Sequence, residues 1–261
     1  MSSTLSQPAL DIIYNYLHLP IGDKFVACPY YNNKRQKVRG ALRVLVGKGS
    51  PDDITEEALI MSMREKIPLG LLSEQQLKEF LVNHGLGIDC SAFAYYVLTA
   101  ELHARKKKTL GSVLQFPPTL NLLRIILRTF RKVENTDVST FTNERNSHTV
   151  TIEDVQAGDM ITMLDTGQDA SRNHIVVIHE VETNTKNIPT IIHYTHSLEW
   201  RTDGKYQHGV RHGKIVLAHP KKSLVEQQWI EQDKEGKENE TLERATSARI
   251  LELRRLHAFS S

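Results

Sequence analysis

The sequence predicts an α+β fold, with helices in its first half and an antiparallel sheet in its second. Two patterns carry that expectation. Up to about residue 132, apolar residues recur at helical spacing between Gly, Pro and Ser punctuation. After position 150, short runs rich in β-branched residues follow one another between turn-forming segments. Helices followed by strands, rather than alternating with them, make an α+β arrangement.

Taken in order, PALDIIYNYLHL (8–19) predicts a short helix closed by Pro20 and Gly22. FVACPYYNN is strand-like, and KRQKVRGALRVLVGKGSPDD runs from basic to apolar into a turn. Helical spacing returns at 54–66 and 73–84, the second opened by Ser73 and Gln76 at capping-box spacing. Asp89 is a good N-cap for IDCSAFAYYVLTAELHA, where Phe93, Tyr96, Val97 and Ala100 form one apolar stripe. Cys90 therefore falls in the first turn. TLNLLRIILRTFRK (119–132) predicts a basic amphipathic helix and NTDVSTFTNERNSH a loop. DMITML, HIVVIHEV, TIIHYTHS and GKIVLAH predict strands. Ser223 with Glu226 predicts a helix through about Asp233, and TLERATSARILELRRL a last helix after a charged linker.

With 39% apolar and 25% charged residues, the 261-residue chain has the composition of a soluble globular protein. A net charge of +2 gives no reason to expect nucleic acid or a membrane surface as partner. No run approaches the apolar length of a membrane span, and the N-terminus lacks a basic region leading into an apolar one, so the expected location is cytoplasmic. Cys28 and Cys90 are the only cysteines, too few for a disulfide framework.

Cys90 carries the most chemical information. A thiol attacks as thiolate, and unpaired N–H groups at a helix N-terminus favour negative charge there and on an oxyanion. The bland alternative is a small buried apolar residue. A thiol mechanism also needs an imidazole and a group that orients it. His174 opens an apolar strand beside Asn173; alternation puts it with Val176 and Ile178, and puts His179 on the other face with Ile175 and Val177. His193 or His196, themselves on opposite faces, offers the orienting group. A zinc pair needs histidines four apart on one helix face, and no such helix is evident around these two or around His208 and His212, so neither metal nor cofactor is expected. Cys28 has no helix N-terminus to activate it. Gly47-Lys48-Gly49-Ser50 lacks Walker spacing and reads as a turn. The basic stretches at 105–108 and 124–132 read as solvated faces.

GIDCSAFAYYV resembles the nucleophile motif of the NlpC-type cysteine peptidases, in which a glycine and an apolar residue precede Asp-Cys-Ser. VQAGDMI resembles that family's Pro-Gly-Asp-Leu strand entry, with Ala157 in place of proline. NHIVVI and IIHY resemble the strands that carry its histidine and third polar residue. Ala92 departs from the glycine that usually follows Asp-Cys-Ser, and the stretch between Pro29-Tyr30 and Cys90 exceeds the family's short loop. The resemblance implies Cys90 as nucleophile, His174 as base and His193 as orienter, with His196 as the alternative third residue. Asp89, Ser91 and Tyr30, the last from a Pro-Tyr element, would support them.

It further implies a papain-like core, with the nucleophile helix packed on an antiparallel sheet. The catalytic domain would span 23–222, with helical insertions near 34–84 and 105–150. An N-terminal helical segment (1–22) and C-terminal helices (223–261) would flank it. The implied activity is hydrolysis of amide bonds in a peptide or peptidoglycan fragment. A thiol acyltransferase or amidase, or a non-catalytic binding module on the same fold, are the competing classes.

Overall fold

The computed structural model describes residues 2–32, 42–116, 131–167, 169–219 and 221–260. A short strand, β1 (Ser2–Thr4), precedes helix α1 (Gln7–Leu17), which takes Pro8 in its first turn, where a missing N–H breaks no helical bond. The hairpin β2 (Leu19–Ile21) and β3 (Lys24–Val26) turns through Gly22 at φ 62°. Helices α2 (Pro51–Glu65) and α3 (Glu74–Asn83) each begin with a reciprocal cap. Ser50 and Ser73 accept from the N–H groups of Asp53 and Gln76, whose side chains accept in return.

Helix α4 (Cys90–Lys106) follows, capped by Asp89. Three helices of about one turn, α5 (Leu110–Val113), α6 (Lys132–Asn135) and α7 (Val138–Thr142), lead into the strands. These are β4 (Ser147–Thr149), β5 (Met160–Thr166), β6 (Arg172–Thr183), β7 (Pro189–Leu198), β8 (Gly209–Val216), β9 (Gln228–Glu231) and β10 (Lys234–Glu235). Helix α8 (Glu240–Ser247) and strand β11 (Ile250–Leu256) complete the fold.

The strands form an antiparallel sheet in the order β10-β9-β8-β7-β6-β5-β11-β4, with β1 paired to the far end of β6. Alternation along β5 and β6 builds a core on each face. On one side Met160, Ile175 and Val177 pack with Tyr16, Leu81, Phe93 and Val97 of the helices. On the other, Ile161, Met163, Val176 and Ile178 pack with Tyr194, Trp229, Ala245 and Leu253. Burial of such side chains stabilises by about 1.5–3 kcal/mol each, so both faces are committed to cores. The fold is α+β, as the pattern of elements predicts.

Three segments differ from the sequence reading. The loop NTDVSTFTNERNSH contains α7, opened by Asp137 accepting from the Thr140 N–H, and the start of β4. Ser223 and Glu226 do bond to each other, but they open only one tight turn, because the chain extends at Gln227 and buries Trp229 in the second core. The last helix stops at Ser247, and Ile250–Leu256 is a strand between β5 and β4. Leu, Glu and Arg favour a helix there, but sheet pairing and the buried Arg254, bonded to Ser147, Glu144 and Glu252, outweigh that local preference. The expected C-terminal helices are thus one helix and three strands. Most of the amphipathic helix expected at 119–132, and part of the 34–84 insertion, lie outside the described residues.

Candidate active site

Asp89 places Cys90 at the first helical position of α4 by accepting from the Ala92 N–H at 2.8 Å. Its carboxylate also meets Lys48, whose ammonium lies 3.0 Å from one oxygen and 2.9 Å from the other. Lys48 further donates to Ser91 Oγ at 2.7 Å and to the Thr136 carbonyl at 2.9 Å. Asp89 and Ser91 therefore serve the anchoring of the helix start. Lys48 is the residue that sequence reasoning passed over, in a turn that Gly47 makes possible at φ 75°. A Cβ on Gly47 would come 2.3 Å from the Tyr31 carbonyl oxygen.

Cys90, only 7% exposed, lies in a cavity of about 540 Å³. Tyr30, Asn32, Asp137, Asp169, Arg172, Asn173, Glu199 and Arg244 line it together with Lys48, Asp89 and Ser91. Charges of both signs converge there, a lining suited to a polar, zwitterionic ligand. Burial pushes the Cys90 thiol up to about 12, and the Asp89 carboxylate adds to the rise. The Ile175 N–H, Lys48 and Arg244 oppose it. Tyr30 stands in the same cavity, its phenol also pushed up by burial and by Cys90, while its N–H donates to His208 Nδ1 at 3.1 Å. The helix N-terminus thus places the thiol, but burial outweighs the dipole in setting its charge.

The histidines divide between the faces of the sheet. His174 lies opposite Met163 in register, so alternation directs its ring with Val176 away from α4. Its Nε2 sits 2.7 Å from His196 Nδ1, and His196 Nε2 sits 3.0 Å from Glu231 Oε2. The thiol of Cys90 reaches β6 at the Ile175 N–H, one residue beyond His174. No hydrogen bond joins Cys90 to His174 among the described residues. Burial holds His174 well below the ordinary imidazole range, and the neighbouring His196, Arg244 and Arg211 lower it further.

His193 stands on the other face, bound to Glu182 at 2.7 Å, and makes no hydrogen bond with His174. Of the two candidate third residues, His196 is therefore the one in contact with His174. Glu231 was invisible to sequence reasoning, since its segment reads as a helix. Among the described residues no group of three or more His, Cys, Asp or Glu is arranged to hold a metal ion, and no helix is long and apolar enough to cross a membrane. Comparison with known proteins finds no matching family model, no matching curated protein and no matching solved structure.

Proposed function

We propose that the chain is a thiol-dependent hydrolase of amide bonds in a peptide, with a papain-like, NlpC-type core. The observation that carries this reading is the seat of Cys90. It lies at a helix N-terminus on a charged cavity, in contact with the strand whose neighbouring residue, His174, heads a buried His174–His196–Glu231 chain. In the proposed reaction the Cys90 sulfur attacks the amide carbonyl as its proton passes to His174. The N–H of Cys90, at the start of α4, receives the oxyanion. The His174 imidazolium then protonates the leaving amine, and water resolves the thioester. With the resting thiol held neutral by burial, proton removal accompanies attack and no thiolate–imidazolium pair precedes it. A peptidoglycan fragment is the substrate class that the motif resemblance favours.

A second reading, a non-catalytic peptide-binding module, draws on the raised Cys90 thiol and on the missing hydrogen bond to His174. One experiment separates the two. The chain is incubated with a muropeptide digest and with a mixed peptide-amide library, and products and Cys90 thioesters are followed by mass spectrometry. The hydrolase reading expects turnover that is abolished in Cys90→Ser, falls about a hundredfold or more in His174→Ala, and persists in Cys28→Ser. Binding without turnover, with Cys90 alkylated equally fast in wild type and His174→Ala, establishes the binding module instead.

A further inference from the structure

We infer that Glu231 is a positioning residue that fixes the tautomers of His196 and His174, leaving His174 Nδ1 bare as the acceptor. The role this gives His174 rests on the thiol-hydrolase reading; the tautomers themselves do not.

The argument is one of donors and acceptors. Glu231 is 1% exposed and takes four partners. Tyr194 OH donates to Oε2 at 2.7 Å, Thr241 Oγ1 donates to Oε1 at 3.2 Å, Arg211 Nε lies 3.8 Å from Oε1, and His196 Nε2 lies 3.0 Å from Oε2. Burial raises the carboxyl, but His196, Arg211 and the Tyr194 hydroxyl outweigh it and bring Glu231 below the usual carboxylate range. An ionised carboxylate only accepts, so His196 Nε2 carries the hydrogen. Arg211, with its Nε 3.8 Å from Glu231 Oε1, already gives the carboxylate a counter-charge, and His196 is taken as the neutral ring. Neutral His196 then has a lone pair on Nδ1, and His174 Nε2, 2.7 Å from it, is the donor. Neutral His174 has no hydrogen left for Nδ1. The chain runs from Glu231 on β9, over β8, to His196 on β7 and His174 on β6 of one sheet, so sheet geometry holds its spacing.

The test uses the full chain labelled with ¹⁵N-histidine, in two-bond ¹H–¹⁵N correlation spectra near pH 7. Signals are assigned through His174→Gln and His196→Gln. Both rings are expected as neutral Nε2–H tautomers, and Glu231→Gln is expected to give His174 a mixture of tautomers. A wild-type His174 protonated at Nδ1, or a doubly protonated His196, overturns the inference. So does an unchanged spectrum in a folded Glu231→Gln, since a merely structural Glu231 would lower the melting temperature and leave the tautomers alone. If Glu231→Gln does not fold, the wild-type spectrum decides. Expected tautomers without any turnover remove the hydrolase reading alone; turnover with the opposite tautomer removes the Glu231 role alone.

Discussion

At the scale of single residues, the Lys48–Asp89 pair decides whether Cys90 is held in place. Both side chains are buried, so Lys48→Met leaves a carboxylate without its cation inside the protein. The expected cost is about 3–5 kcal/mol in urea unfolding, and adding Asp89→Asn is expected to recover part of it. A cost near zero for Lys48→Met would mean that Asp89 draws its support from the helix N–H groups. The two cysteines should also differ. Cys28 is wholly buried, with its thiol pushed up to about 12 by burial, whereas Cys90 meets a cavity. Iodoacetamide with peptide mapping is expected to label Cys90 in the folded protein and Cys28 only after unfolding.

Elements show how the same local signal yields different structures. Ser73 caps a ten-residue helix, and its Oγ accepts from the Gln76 N–H at 3.2 Å. Ser73→Ala is expected to cost about 1 kcal/mol. Ser223 bonds to Glu226 in the same spacing but opens a single tight turn ahead of β9. Ser223→Ala should therefore cost no more than about 0.5 kcal/mol, as surface changes away from helix caps do. Chemical unfolding of the two variants side by side checks the contrast, and equal losses would show that the spacing alone matters.

The whole molecule carries a pH dependence through histidines that fold in the neutral form. Burial pulls His179 down to about 3, with His212 and His193 adding, and lowers His174, His208 and His212 as well. The unfolded chain takes up these protons near 6.5, the folded one only at lower pH, about 3 for His179. Stability is therefore full above about 6.5 and is lost as the pH falls toward the folded values. For His179 alone the loss at pH 5 is about 2 kcal/mol, at about 1.4 kcal/mol per pH unit. Calorimetry from pH 7.5 to 5 is expected to show a falling melting temperature, with a shallower slope in His179→Gln. A flat profile would mean that these rings are charged in the folded protein.

Local pattern by itself determined the helix start at Asp89, the place of Cys90 in its first turn, the cap at Ser73, and the strands β5 to β8, because caps and two-residue alternation act over neighbouring residues. It also separated His174 from His179, since alternation is a property of one strand. Tertiary structure alone decided between His193 and His196 as the partner of His174, because that depends on the register of β6 against β7. It alone turned Ile250–Leu256 from a helical sequence into a strand between β5 and β4, and brought Lys48 to Asp89 and Glu231 to His196 across 41 and 35 positions. Such pairings arise from the closing of two cores over one sheet, and no spacing within a segment encodes them.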